Sequence, residues 1–124
     1  MRSLIAAASL CALMCPALAQ APHLGAEVVA ELKARGTDVS RRHAFEFYFY
    51  VADEAHANAL ARELETRGLA TRVSRAPGDP SWLCLGTVTL VPDAARLDEL
   101  GRFFDMLSQK YHSEFDGWEA DPVP

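Results

Sequence analysis

The nine residues from His43 to Val51 constrain the fold more than any other part of the chain. Phe45, Phe47, Phe49 and Val51 alternate with Ala44, Glu46, Tyr48 and Tyr50. A period of two is the signature of a β-strand, whose successive side chains leave on opposite faces. Three phenylalanines on one face must be taken out of water. The other face mixes a carboxylate with two amphipathic tyrosines and tolerates solvent. A sheet covered on one side needs helices to cover it, and the flanking sequence supplies them.

Asp53 is a good N-cap, because its carboxylate can accept a hydrogen bond from a free amide of the first turn. Ala57, Leu60, Ala61 and Leu64 then form an apolar stripe, and Gly68 ends the helix at the left-handed position. Leu69 to Arg75 reads as a strand, with Leu69, Thr71 and Val73 on one side and Ala70, Arg72 and Ser74 on the other. Ala76 to Pro80 is a turn rich in Pro and Gly. Trp82 to Val91 is a second strong strand, apolar on both faces. Pro92 and Asp93 open a long helix whose Leu97, Leu100, Phe104, Leu107 and Tyr111 step by threes and fours, widened by Phe103 and Met106. A short strand is expected around Phe115 to Glu119. Upstream, Leu24, Val28, Val29 and Leu32 before Gly36 predict an amphipathic helix over Gly25 to Arg35. The order strand, helix, strand, strand, helix, strand predicts an α+β, ferredoxin-like split β-α-β sandwich. Its four-stranded antiparallel sheet carries two helices on one face, and the N-terminal helix is extra. That extra helix is expected over Tyr48 and Tyr50 on the second face, or at a sheet edge.

The first residues specify an address. Met1 and Arg2 are followed by an apolar run from Leu4 to Met14, a break at Pro16, and small residues at Ala17 and Ala19. This is the pattern of a secretory signal peptide cut before Gln20. The run is short of the roughly 20 apolar residues a spanning helix needs. Leu10 and Met14, which precede Cys11 and Cys15, are not the small residues expected before a lipidated cysteine. The expected division is a signal peptide over 1–19, a leader and N-terminal helix over 20–36, and the α+β domain over 37–124. The destination is periplasmic or secreted. About 105 residues remain, one domain with one core. The full chain carries net charge −5, which becomes about −6 once Arg2 is removed. An acidic body argues against a nucleic-acid partner and against adsorption on an anionic membrane. Cys84 is the one cysteine left, in the apolar run Trp82-Leu83-Cys84-Leu85, so burial is expected rather than crosslinking.

Catalytic and cofactor signals do not assemble. His23, His43, His56 and His112 contain no pair spaced four apart on a helix, and no Cys-x-x-Cys or Cys-x-x-His is present. There is no Gly-rich phosphate loop and no Gly-x-Ser-x-Gly. The expectation is therefore no enzyme, no cofactor and no metal. The competing reading is a small-ligand or hydrolytic pocket that would bring His43, Cys84 and His112 together.

The best candidate surface is Glu114-Phe115-Asp116-Gly117-Trp118-Glu119. Asp-Gly is a turn pair, because Gly takes a positive φ, and Trp118 adds a large apolar plate with one donor. As structure, Trp118 closes the core beneath it. As function, it anchors a partner protein inside an acidic rim of Glu114, Asp116, Glu119 and Asp121. From His112 to the end there is no Lys or Arg. Arg62, Arg67, Arg72 and Arg75 make the middle of the chain locally basic; a solvated face is the default, and head-to-tail pairing with the acidic end is the functional alternative.

Three segments carry a family resemblance: Arg42-His43 running into Phe45-Glu46-Phe47-Tyr48-Phe49, the stretch Leu64 to Leu69, and the ending Glu114 to Glu119. Together they resemble the regulator of ribonuclease activity B family, also called ribonuclease E inhibitor B. The family's usual ending is Tyr-Asp-Gly-Trp, and Phe115 stands here in place of the tyrosine. The resemblance implies a ferredoxin-like, non-enzymatic domain that binds ribonuclease E in the cytoplasm and lowers its activity. Joined to an export signal, it implies an exported protein-binding regulator whose client is unknown. A cytoplasmic ribonuclease E inhibitor with an uncleaved N-terminus is the alternative.

Overall fold

A computed structural model describes residues 23–121. The expected signal peptide over 1–19, with Cys11 and Cys15, and the expected leader residues 20–22 lie outside the described residues. The elements run α1 (Leu24–Ala34), β1 (His43–Val51), α2 (Glu54–Glu65), β2 (Ala70–Arg75), β3 (Trp82–Leu90), α3 (Ala94–Tyr111) and β4 (Glu114–Ala120). The sheet order is β2-β3-β1-β4 and every neighbouring pair is antiparallel. This is the expected split β-α-β arrangement, with β1 central and β4 at an edge.

Local chemistry sets the helix ends as the sequence implied. Asp53 accepts from the amide of His56 at 2.8 Å, and Asp93 accepts from the amide of Arg96 at 3.1 Å. Gly68 takes φ +85°, where a side chain would be strained. The register assigns the faces. Phe45, Phe47, Phe49 and Val51 lie level with Val88, Gly86, Cys84 and Trp82 of β3 on the covered side. Glu46, Tyr48 and Tyr50 lie level with Thr87, Leu85 and Leu83 on the other. Phe104 of α3 sits at the centre of the core, its ring 4.8 Å from Phe47 and 5.1 Å from Phe49.

Of the two positions expected for the N-terminal helix, the second sheet face is not the one it takes. It does not lie over Tyr48 and Tyr50. Instead α1 packs beside α3 and joins the helical layer, adding Leu24, Val28 and Leu32 to the same core as Phe45 and Leu97. The physical reason is at Gly25. Its amide donates to Asp98 of α3 at 2.7 Å, and a Cβ there would stand 2.0 Å from the Ala94 carbonyl oxygen. Glycine lets the two helix starts touch backbone to backbone. Helix α1 shares its core with the sheet and the other two helices.

Candidate functional site

The motif from Glu114 to Glu119 forms most of β4, which pairs only with β1. The pairing shifts register between Tyr48 and Phe49: Tyr48 faces Gly117, Phe49 faces Phe115, and Asp116 is the extra residue. Gly117 sits at φ +118°. This is a β-bulge, one residue inserted into one strand of an antiparallel pair. Its consequence decides what the motif does. Phe115 and Trp118 are three apart and would leave a regular strand on opposite faces. The bulge turns both onto the covered side.

Phe115 stacks within 5.2 Å of Phe49 and 5.3 Å of Phe104. Trp118 lies 6.1 Å from Phe45, its Nε1 donates to Glu27 Oε1 at 3.3 Å, and the Arg35 guanidinium stands 5.4 Å from its ring. Glu27 lies on α1 and Arg35 is the residue that caps its C-terminus, so Trp118 fastens α1 to the sheet edge. It remains partly exposed. Asp116 is buried, whereas Glu114 is exposed and Glu119 half-exposed. The six candidate residues thus divide. Phe115, Asp116 and the body of Trp118 build the fold. Glu114, Glu119 and the rim of Trp118 face outward.

Two residues missed by the sequence reading complete this acidic edge. Tyr48 donates to Glu46 at 2.9 Å and lies 3.4 Å from Glu119. Burial, reinforced by the accepting Glu46 carboxylate, holds the Tyr48 phenol well above its ordinary range, so it stays a donor. A groove of about 170 Å³ runs beside Glu46, Thr87, Glu119 and Asp121. Glu46 was legible as the one charge inside the aromatic strand; its meeting with Glu119 depends on the bulge.

The second candidate grouping is not brought together. His43 starts β1 opposite Leu90, while Cys84 lies opposite Phe49. Six residues along a strand separate them by roughly 20 Å. His112 is exposed at the end of α3, in the left-handed region at φ 51°. His43 is only 1% exposed, with Nε2 2.7 Å from the Asp38 carbonyl and Nδ1 3.1 Å from that of Asp121. It ties the loop before β1 to the end of β4. Cys84 is fully buried, and burial pushes its thiol up to about 12, with Glu65 adding to the effect. A thiol so placed is a packing group and not a nucleophile. Among the described residues no three His, Cys, Asp or Glu side chains gather as a metal site.

Of the segments behind the family resemblance, Arg42 donates to the Thr89 carbonyl at 3.3 Å and leads into β1. Leu64 to Leu69 closes α2 over β2, and the Asp-Gly-Trp ending forms the bulge. Among curated proteins, none matches the chain. The family model described as regulator of ribonuclease activity B matches residues 24–120, from the first turn of α1 to the last residue of β4. The chain belongs to the regulator of ribonuclease activity B family.

Proposed function

We propose that this chain is an exported, non-enzymatic regulator that acts by binding another protein through the β4 edge. The family match over the whole described domain carries this reading, since the family is described as regulating ribonuclease activity. The contact surface we assign is Glu114, Phe115, Asp116, Gly117, Trp118 and Glu119. Glu114, Glu119 and Trp118 touch the partner, and Phe115, Asp116 and Gly117 hold the strand in shape. The carboxylates of Glu46, Glu114, Glu119 and Asp121 suit a basic client surface, and such steering weakens with salt.

The signal reading of residues 1–19 places the mature protein in the periplasm or outside the cell. A client there is not the cytoplasmic ribonuclease E of the family's named member. The test is chemical crosslinking in the exported fraction with wild type and with the double variant Glu114→Lys/Glu119→Lys. Glu114 is exposed and Glu119 half-exposed, and matched melting curves verify that the variant folds. We expect a specific crosslinked client with wild type at low salt and its loss in the double variant. Equal crosslinking by a folded double variant refutes the assigned surface. Recovery of ribonuclease E with an uncleaved chain favours the cytoplasmic inhibitor instead.

A further inference from the structure

A second surface lies where α2 turns into β2, the strand at the opposite edge of the sheet from β4. Two open grooves meet there. One, of about 330 Å³, is lined by Arg67, Asp93, Ala95, Arg96, Glu99 and Leu100. The other, of about 320 Å³, is lined by Arg67, Glu99, Arg102, Phe103 and Met106. On α3, Arg96, Glu99, Arg102 and Met106 recur at steps of three and four, so they share one outward stripe. All four are exposed, and Met106 is 51% exposed, one of two large apolar side chains left so open among the described residues.

We propose that this stripe is a docking groove for a short acidic protein segment carrying one apolar side chain. Three guanidinium groups, of Arg67, Arg96 and Arg102, border it, and none has a carboxylate within 4.0 Å among the described residues. Arg67 is held in place, its guanidinium 4.2 Å from the centre of the Phe103 ring. That contact fixes a cation at the groove wall before any ligand arrives, which lowers the ordering cost of binding. Asp93, which accepts from the Arg96 amide, and Glu99 are the two opposing charges against the three guanidinium groups. Met106 supplies the apolar contact at the far end. From Arg96 to Met106 the stripe is roughly 15 Å long at the rise of an α-helix, the span of about four or five extended residues. A nucleic acid fits less well. A phosphate backbone offers nothing for the apolar Met106. This groove is separate from the β4 edge, so each can fail without the other.

The test is fluorescence anisotropy with the full mature protein and a labelled peptide of roughly eight residues, glutamates flanking one central leucine. We expect salt-sensitive binding, weakened about tenfold by Arg102→Glu and by Met106→Asp. Met106→Leu and the distant Arg41→Glu should bind as wild type does, and lysines in place of the peptide's glutamates should abolish binding. All four substitutions sit at exposed positions, and matched melting curves verify folding. No binding of the acidic peptide overturns the proposal. So does undiminished binding by folded Arg102→Glu and Met106→Asp, or tighter binding of a single-stranded oligonucleotide. Concentration-dependent self-association of the wild type, lost in Arg102→Glu, would make a second copy the occupant and also overturns it.

Discussion

Replacing Gly25 with alanine tests how α1 is held. The added Cβ would stand 2.0 Å from the Ala94 carbonyl oxygen and 2.7 Å from its carbon. Both are backbone atoms in the first turn of α3, which cannot swing aside as a side chain would. The start of α1 must therefore lift by roughly 1 Å, and the 2.7 Å bond from the Gly25 amide to Asp98 stretches with it. Overpacking of this kind costs about 1–3 kcal/mol. Loss of a hydrogen bond to a charged group costs about 1.5–3 kcal/mol more. Alanine returns up to about 1 kcal/mol in helix propensity. The net expectation is a loss of about 2–5 kcal/mol. Urea denaturation followed by tryptophan emission in a Trp82→Phe background measures it, because Trp118 then reports alone and lies against Glu27 of α1 and Arg35 at its C-terminal cap. The midpoint should fall, and Trp118 should become more solvent-exposed before the sheet unfolds. A Gly25→Ala protein with wild-type midpoint and emission refutes the backbone contact between α1 and α3.

Other consequences follow from single groups. Cys84 should resist a thiol reagent in the native protein at pH 8 and react at the rate of global unfolding; rapid native labelling contradicts its burial. His43→Phe removes the ring nitrogens that meet the Asp38 and Asp121 carbonyls, at about 1–3 kcal/mol for a carbonyl left unsatisfied, read as a lower thermal midpoint. Glu63 accepts from Lys110 at 2.7 Å and also from the Tyr111 hydroxyl, and these bonds hold its carboxyl below its usual value of 4.5. A depressed folded value contributes stability above the unfolded one and loses it as pH falls. Glu63→Gln should therefore melt below wild type at pH 7, and the gap should close as the pH drops through and below 4.5. A gap independent of pH contradicts the ionic origin.

Much of this fold is written in short-range pattern. The alternation of Phe45, Phe47 and Phe49 set the covered face of β1, and Asp53 and Asp93 marked two helix starts that the structure places within a residue. What pattern could not carry was the meeting of distant segments. An amphipathic stripe on α1 states that it is covered, not by what; the choice of α3 depends on Gly25 meeting Ala94, a pairing of residues far apart in sequence. The Asp-Gly pair was legible as a turn. That it makes a bulge inside a strand depends on its register with Tyr48 and Phe49. Hence Phe115 and Asp116 read as surface candidates from sequence, whereas they serve packing. His43 shows the same limit, since its acceptors are backbone carbonyls that no side-chain pattern records.

Compartment restricts every partner this protein can meet, so the mass and location of the chain isolated from its own cells is the most direct test. The account predicts a species beginning at Gln20, cut after Ala19, in the periplasmic or secreted fraction. A chain still carrying Met1, found in the cytosol on ribonuclease E, would contradict it.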